Sequence, residues 1–93
     1  MKLVPKHVVA ARGLLGMTQA QLATAAGITE VALNKFERGK TTPHQSTLEA
    51  LQTALERRGI EFTNGDGVGV RMDNAKAAEF ARGFALERNE PDR

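Results

Sequence analysis

The 93-residue sequence predicts an all-α domain of short helices, followed by a small β-hairpin and a final helix. Three observations carry that expectation. Gly16, Gly27, Gly39 and Gly59 each follow a stretch with helical apolar spacing, where a left-handed residue ends a helix. Thr18-Gln19-Ala20-Gln21 has the pattern of a capping box, in which the threonine hydroxyl and the glutamine side chain each satisfy a free backbone N–H. From Ile60 onward a period of two replaces the helical period, and turn-forming residues follow.

The first helix is expected from about Pro5 to Leu15, with Val8, Ala11, Leu14 and Leu15 on one side and Gly13 weakening its interior. The second begins after Thr18 and ends at Ala26. The third begins after Thr29, a suitable N-cap, and ends near Arg38. Ser46-Thr47-Leu48-Glu49 reads as a second capping box, opening a fourth helix that continues to Arg58 with Leu48, Leu51, Ala54 and Leu55 as its apolar stripe. Ile60-Glu61-Phe62-Thr63 and Val68–Met72 read as strands joined at Asn64-Gly65-Asp66-Gly67. A lone hairpin is marginal in water, so it must pack on the helices or pair with a second copy. A last helix, Asn74 to Arg88 after an Asp73 cap, carries the seam Ala77, Phe80, Ala81 and Phe84, and the polar tail Asn89–Arg93 is expected to fray. The chain thus divides into 1–59 and an appendage, 60–93, suited to dimerisation or partner binding.

Composition excludes several classes. The absence of cysteine removes disulfide scaffolds and cysteine-type zinc sites, and His7 and His44 have no neighbours at metal-ligand spacing. No metal or cofactor is therefore expected. No apolar run approaches the ~20 residues that span a bilayer, and Met1-Lys2-Leu3-Val4-Pro5 has no signal-peptide core, so a cytoplasmic protein without membrane contact is expected. The net charge of +2 is uneven: residues 1–58 carry eight Lys/Arg against four Asp/Glu, residues 59–93 five against seven. A polyanion is drawn to the first part and not the second.

The informative stretch is Met17–Pro43. Two short helices meet at Gly27 with almost no connecting chain, which a left-handed glycine followed by apolar Ile28 permits, and the small Ala23 allows a close crossing. On a helical wheel Glu30, Val31, Asn34, Lys35 and Arg38 occupy an arc of roughly 140°. Ala32, Leu33, Phe36 and Glu37 occupy the other side, with Leu33 and Phe36 as anchors. A polar face on a short helix usually means solvent. Here it is followed by Arg38-Gly39-Lys40-Thr41-Thr42, which offers charge, hydroxyls and backbone amides of the kind that position a protein on phosphates.

The residues Thr18-Gln19, Leu22-Ala23, Gly27-Ile28, Leu33, Phe36-Glu37-Arg38-Gly39-Lys40, Pro43 and Leu48-Leu51-Leu55 resemble the Cro/C1-type (XRE) helix-turn-helix family of phage repressors and bacterial regulators, over about Val8 to Arg58. The resemblance implies a lambda-repressor-like helix-turn-helix fold, with double-stranded DNA as partner. It implies a structural ion pair between Arg12 and Glu37, and a phosphate contact and brace at Gln19. Glu30, Val31, Asn34 and Lys35 would read bases: lysine donates to guanine, glutamate accepts from cytosine N4, and valine touches a thymine methyl. Arg38, Lys40, Thr41 and Thr42 would hold the backbone. Glu30-Val31 departs from the glutamines common at the start of this helix in the family.

Other chemistry is weaker. Gly65-Asp66-Gly67-Val68-Gly69 precedes a strand-like run and lacks the Lys-Ser/Thr of a phosphate loop. His7 reads as a surface residue, His44 as a solvent histidine, and Ser46 as a helix opener. No nucleophile–base or carboxylate pair points to catalysis, so no enzyme is expected. Ile60, Phe62, Phe80 and Phe84 are candidates for a dimer or partner contact. The expected function is a transcriptional regulator, a repressor that occupies its operator as a homodimer and is nucleoid-associated when bound. Two alternatives stay open. One is an antitoxin that autoregulates through the same domain and binds a toxin through residues 60–93; the other is a protein-binding anti-activator.

Overall fold

Five helices and one two-stranded antiparallel sheet form along the chain: α1 (Pro5–Leu15), α2 (Gln19–Ala26), α3 (Glu30–Glu37), α4 (Gln45–Glu56), β1 (Ile60–Phe62), β2 (Val70–Met72) and α5 (Asn74–Arg88). The computed structural model describes residues 2–63 and 67–88, with the backbone alone for 84–88. The expected turn residues Asn64-Gly65-Asp66, the side chain of Phe84 and the tail Asn89–Arg93 lie outside the described residues. Among those described, no helix is long and apolar enough to cross a membrane.

The first two helices end alike. Gly16 and Gly27 adopt left-handed φ of 69° and 75°. The next residue's N–H then turns back to the carbonyl five positions earlier, Met17 to Arg12 and Ile28 to Ala23, both at 3.0 Å. Their starts are set by side chains. Thr18 Oγ1 accepts from the Gln21 N–H at 3.0 Å while Gln21 Oε1 accepts from the Thr18 N–H at 2.9 Å. Thr29 Oγ1 accepts from Ala32 N–H at 3.0 Å, and Asp73 Oδ1 from Lys76 N–H at 2.9 Å. α4 departs from expectation. Its N-cap is His44, extended at φ −60° and ψ 155°, with no side-chain cap, and Ser46 lies inside the helix. The His44 carbonyl accepts from Thr47 and Leu48, so helical geometry is already established when Leu48 turns inward. At the other end the Arg58 and Gly59 N–H groups bond three residues back, and the tightened turn ends the helix at Glu56.

α2 packs on α3 and α4, and α1 packs on α3 and β2. Leu22, Leu33, Leu51 and Leu55 are completely buried at their centre, together with Val8 and Ala11. Each leucine contributes on the order of 1.5–3 kcal/mol by burial. Leu15 is half-buried against this cluster, but Leu14, expected on the same side, is 46 % exposed, because at about 100° per residue it sits roughly 120° round the helix from Val8, whereas Leu15 sits roughly 20° away.

The hairpin belongs to the same core. Its register pairs Ile60 with Met72, Glu61 with Arg71 and Phe62 with Val70. Alternation turns Ile60, Phe62, Val70 and Met72 toward the helices and leaves Glu61 and Arg71 to pair on the outer face. Ile60 is 2 % exposed. Its side chain is part of the core, so any contact of this candidate with a partner falls to the strand backbone. α5 starts against the end of α4: the Asp73 N–H donates to the Gly59 carbonyl at 2.7 Å. Gly59 has φ +101°, and a Cβ there would sit 2.9 Å from the Ala77 nitrogen. Of the expected seam on α5, Ala77 and Phe80 are half-buried and Ala81 is exposed.

His7 is the main surprise. It is 4 % exposed, its Nδ1 accepts from the Val4 N–H at 3.0 Å, and its ring meets Phe62 edge-on at 5.3 Å. Burial pushes its pKa below the usual histidine value. The signal in the sequence was its place four residues before Ala11, on the core stripe of α1.

Candidate nucleic-acid interface

α3 is held from behind and open in front. Leu33 and Phe36 are buried, while Glu30, Val31, Lys35 and Arg38 are exposed and Asn34 is half-buried. Ala32, expected to pack on the scaffold, is exposed at the opposite edge. The front is defined by exposure: Val31, at 64 %, is the most exposed large apolar residue among those described.

A connected set of polar bonds fixes the helix. Arg12 Nε and Nη2 donate to Glu37 Oε2 and Oε1, both at 2.7 Å, a bidentate pair. Arg12 Nη1 donates to the Met17 carbonyl at 3.0 Å. Gln19 Nε2 donates to Glu37 Oε1 at 2.8 Å, and Asn34 Nδ2 donates to Gln19 Oε1 at 3.4 Å. The Glu37 side chain is 4 % exposed and that of Arg12 19 %. Hydrogen bonding to Glu37 raises the arginine's pKa, partly opposed by burial. The chain therefore runs from α1 through α3 and the head of α2 to Asn34 on the front of α3. Sequence reasoning placed Gln19 as a brace but did not find its bonds to Glu37 and Asn34.

Beyond α3, Gly39 is left-handed at φ 74°, its N–H bonds the Phe36 carbonyl at 2.9 Å, and the Lys40 N–H bonds the Lys35 carbonyl at 2.9 Å. These bonds hold Lys40 beside the end of the helix. Gln19, Asn34, Lys35, Arg38 and Lys40 line one recess of about 430 Å³ together with Glu30 and Val31. Thr41 lies on the far side of Val31 and Lys35, lining a separate, mainly apolar recess, and Thr42 is exposed next to it. The front thus combines three cations with one anion, amide groups and an exposed valine. It offers hydrogen-bond donors and an apolar contact on a protruding helix, the combination by which proteins read groove edges. Phe62 and Phe80, the remaining partner candidates whose side chains are described, lie elsewhere: Phe62 against His7, and Phe80 under the Arg58 guanidinium at 4.5 Å.

Two short helices joined by a left-handed glycine, the second buttressed behind and polar in front, define a helix-turn-helix protein. A helix-turn-helix family model matches residues 9–62, and the chain belongs to that family, in its Cro/C1-type branch of DNA-binding regulators. Among solved structures it is similar to the DNA-binding domain (1–76) of the P22 C2 repressor, determined in solution by nuclear magnetic resonance. The two share 32 % identity with a TM-score of 0.54, over 60 % of this chain and 75 % of that one. Comparison with curated proteins gives no match.

Proposed function

We propose that the protein is a sequence-specific transcriptional repressor that occupies its operator as a homodimer, with α3 in the major groove. The observation that carries this reading is the bracing of α3 by Arg12, Glu37 and Gln19 behind a front edge of exposed Glu30, Val31 and Lys35 and half-buried Asn34. Lys35 donates to guanine, Glu30 accepts from cytosine N4, and Val31 meets a thymine methyl. Arg38, Lys40, Thr41 and Thr42, with Gln19, hold the phosphates on either side. The likeness to the P22 C2 repressor domain supports the repressor assignment. A dimer is proposed because one module of this size gives few contacts; residues 60–93 supply the contact between copies, and two-fold symmetry sets the half-sites ~34 Å apart. The mechanism is occupancy, with no bond made or broken.

Selection of bound sequences from random duplex DNA tests the reading, followed by affinity measurements across salt concentrations. The expected result is an inverted repeat. Lys35→Ala should alter the preferred base at one position of each half-site, and Lys40→Ala should weaken all sequences and lower the salt slope by about 1. Absence of salt-dependent binding to any duplex overturns the proposal.

A further inference from the structure

α2 contains no charged residue. Leu22 and Ala23 enter the core, but Ala20, Gln21, Thr24 and Ala25 are exposed, an unusually apolar outer face for a surface helix. Together with Leu15 and Met17 this face forms an open groove of about 640 Å³. Arg58 and Phe80 border it. None of the residues that line it belongs to α3.

Arg58 gives the groove its chemistry. It is half-buried, its Nη1 donates to the Ala54 carbonyl at 2.8 Å, and its guanidinium lies over the Phe80 ring. Among the described residues no carboxylate pairs with it: the ion pairs are Arg12–Glu37 and Arg71–Glu61, and nearby Glu56 accepts from Gln52. Burial, then the charge of Arg57, depress its pKa. A partly desolvated cation at the edge of an apolar groove that contains no acid calls for an anion on whatever fills the groove.

We propose that this groove is a docking site for an acidic amphipathic helix of a partner protein. An open groove lined by Ala20, Thr24 and Ala25 suits a helix laid against α2, with apolar residues spaced at i, i+3, i+4 and i+7 and a carboxylate over Arg58. A second copy of this chain fits less well. α5 carries Lys76, Arg82 and Arg88 against Glu79 and Glu87, α1 has no acidic residue, and the exposed residues of α4 include no apolar stripe. The groove shares no residue with the recess in front of α3, so partner and DNA bind at once.

The test uses the full chain and a displayed library of 16-residue helical peptides with a fixed leucine stripe and randomised flanking charges, followed by fluorescence anisotropy with selected peptides. Peptides rich in Glu and Asp should be enriched. Thr24→Glu should weaken them at least tenfold and Thr24→Arg should not, with thermal stability of both variants near that of the parent. Duplex DNA affinity of the parent should be unchanged by saturating peptide. Enrichment of basic or neutral peptides, equal losses in the two Thr24 variants, or no enrichment over a library with the stripe scrambled overturns the proposal.

Discussion

Removing Arg12 should destabilise the fold more than removing Glu37. In Arg12→Met the Glu37 carboxylate, only 4 % exposed, loses two 2.7 Å charged hydrogen bonds and keeps one from Gln19. Breaking a buried pair in this way costs about 3–5 kcal/mol. The open side of the pair, where Arg12 is 19 % exposed, favours the lower end of that range. Glu37→Leu leaves the arginine instead, which can turn toward water while keeping the Met17 carbonyl, and about 1.5–3 kcal/mol is expected. The double variant should recover most of the loss, since replacing both partners by apolar groups of similar size is often close to neutral. Urea unfolding of all four proteins closes a double-mutant cycle, and a 3 kcal/mol loss corresponds to a fall in Tm of roughly 12–24 °C for a domain of this size. If the two single losses simply add in the double variant, the pair is not coupled and the bracing of α3 rests on Leu33 and Phe36 alone.

Three further outcomes follow from other positions. The folded pKa of His7 is depressed below 6.5, so the neutral form is favoured in the fold; its stabilising effect is complete above about pH 6.5 and lost as pH falls through the folded value. The urea midpoint should therefore drop between pH 7 and pH 5, and His7→Gln, which retains an acceptor for the Val4 N–H, should flatten that dependence. Gly59→Ala places a Cβ 2.9 Å from the Ala77 nitrogen at a φ of +101°, so a loss of roughly 1–3 kcal/mol is expected, with amide hydrogen exchange rising first in α5. Gly13→Ala meets nothing within 4 Å inside an exposed turn of α1 and should stabilise by about 1 kcal/mol, read from the same urea curves.

The helices were legible because their ends are written in short-range chemistry: Thr18, Thr29 and Asp73 cap, and Gly16, Gly27 and Gly39 close. The front of α3 was legible for a related reason, since period alone separates Glu30, Val31 and Lys35 from Leu33 and Phe36. Long-range chemistry was not. His7 reads as polar in a list of residues, yet Val4 and Phe62, three and fifty-five positions away, give it a hydrogen bond and a ring face. Ser46-Thr47-Leu48-Glu49 fits a capping box, but α4 starts at Gln45, with the His44 carbonyl accepting from the Thr47 and Leu48 N–H groups. Ala32 lies on the rear arc of an ideal wheel, but α4 and the 40–44 loop leave a recess there and do not cover it. The bonds of Gln19 depend on how two helices cross, which spacing within either helix does not encode.

Those bonds divide the reading edge into two kinds of position. Among the described residues the side chains of Glu30, Val31 and Lys35 make no internal hydrogen bond or ion pair, whereas Asn34 is tied through Gln19 to the buried Glu37. Under the proposed function, exchanging one of the first three changes what is recognised and leaves the scaffold intact. Exchanging Asn34 also loosens the amide that helps neutralise a buried carboxylate. If α3 reads an operator as proposed, retargeting is therefore cheap in stability at three positions and constrained at the fourth, and a lineage that drifts in specificity should do so through Glu30, Val31 and Lys35 before it touches Asn34.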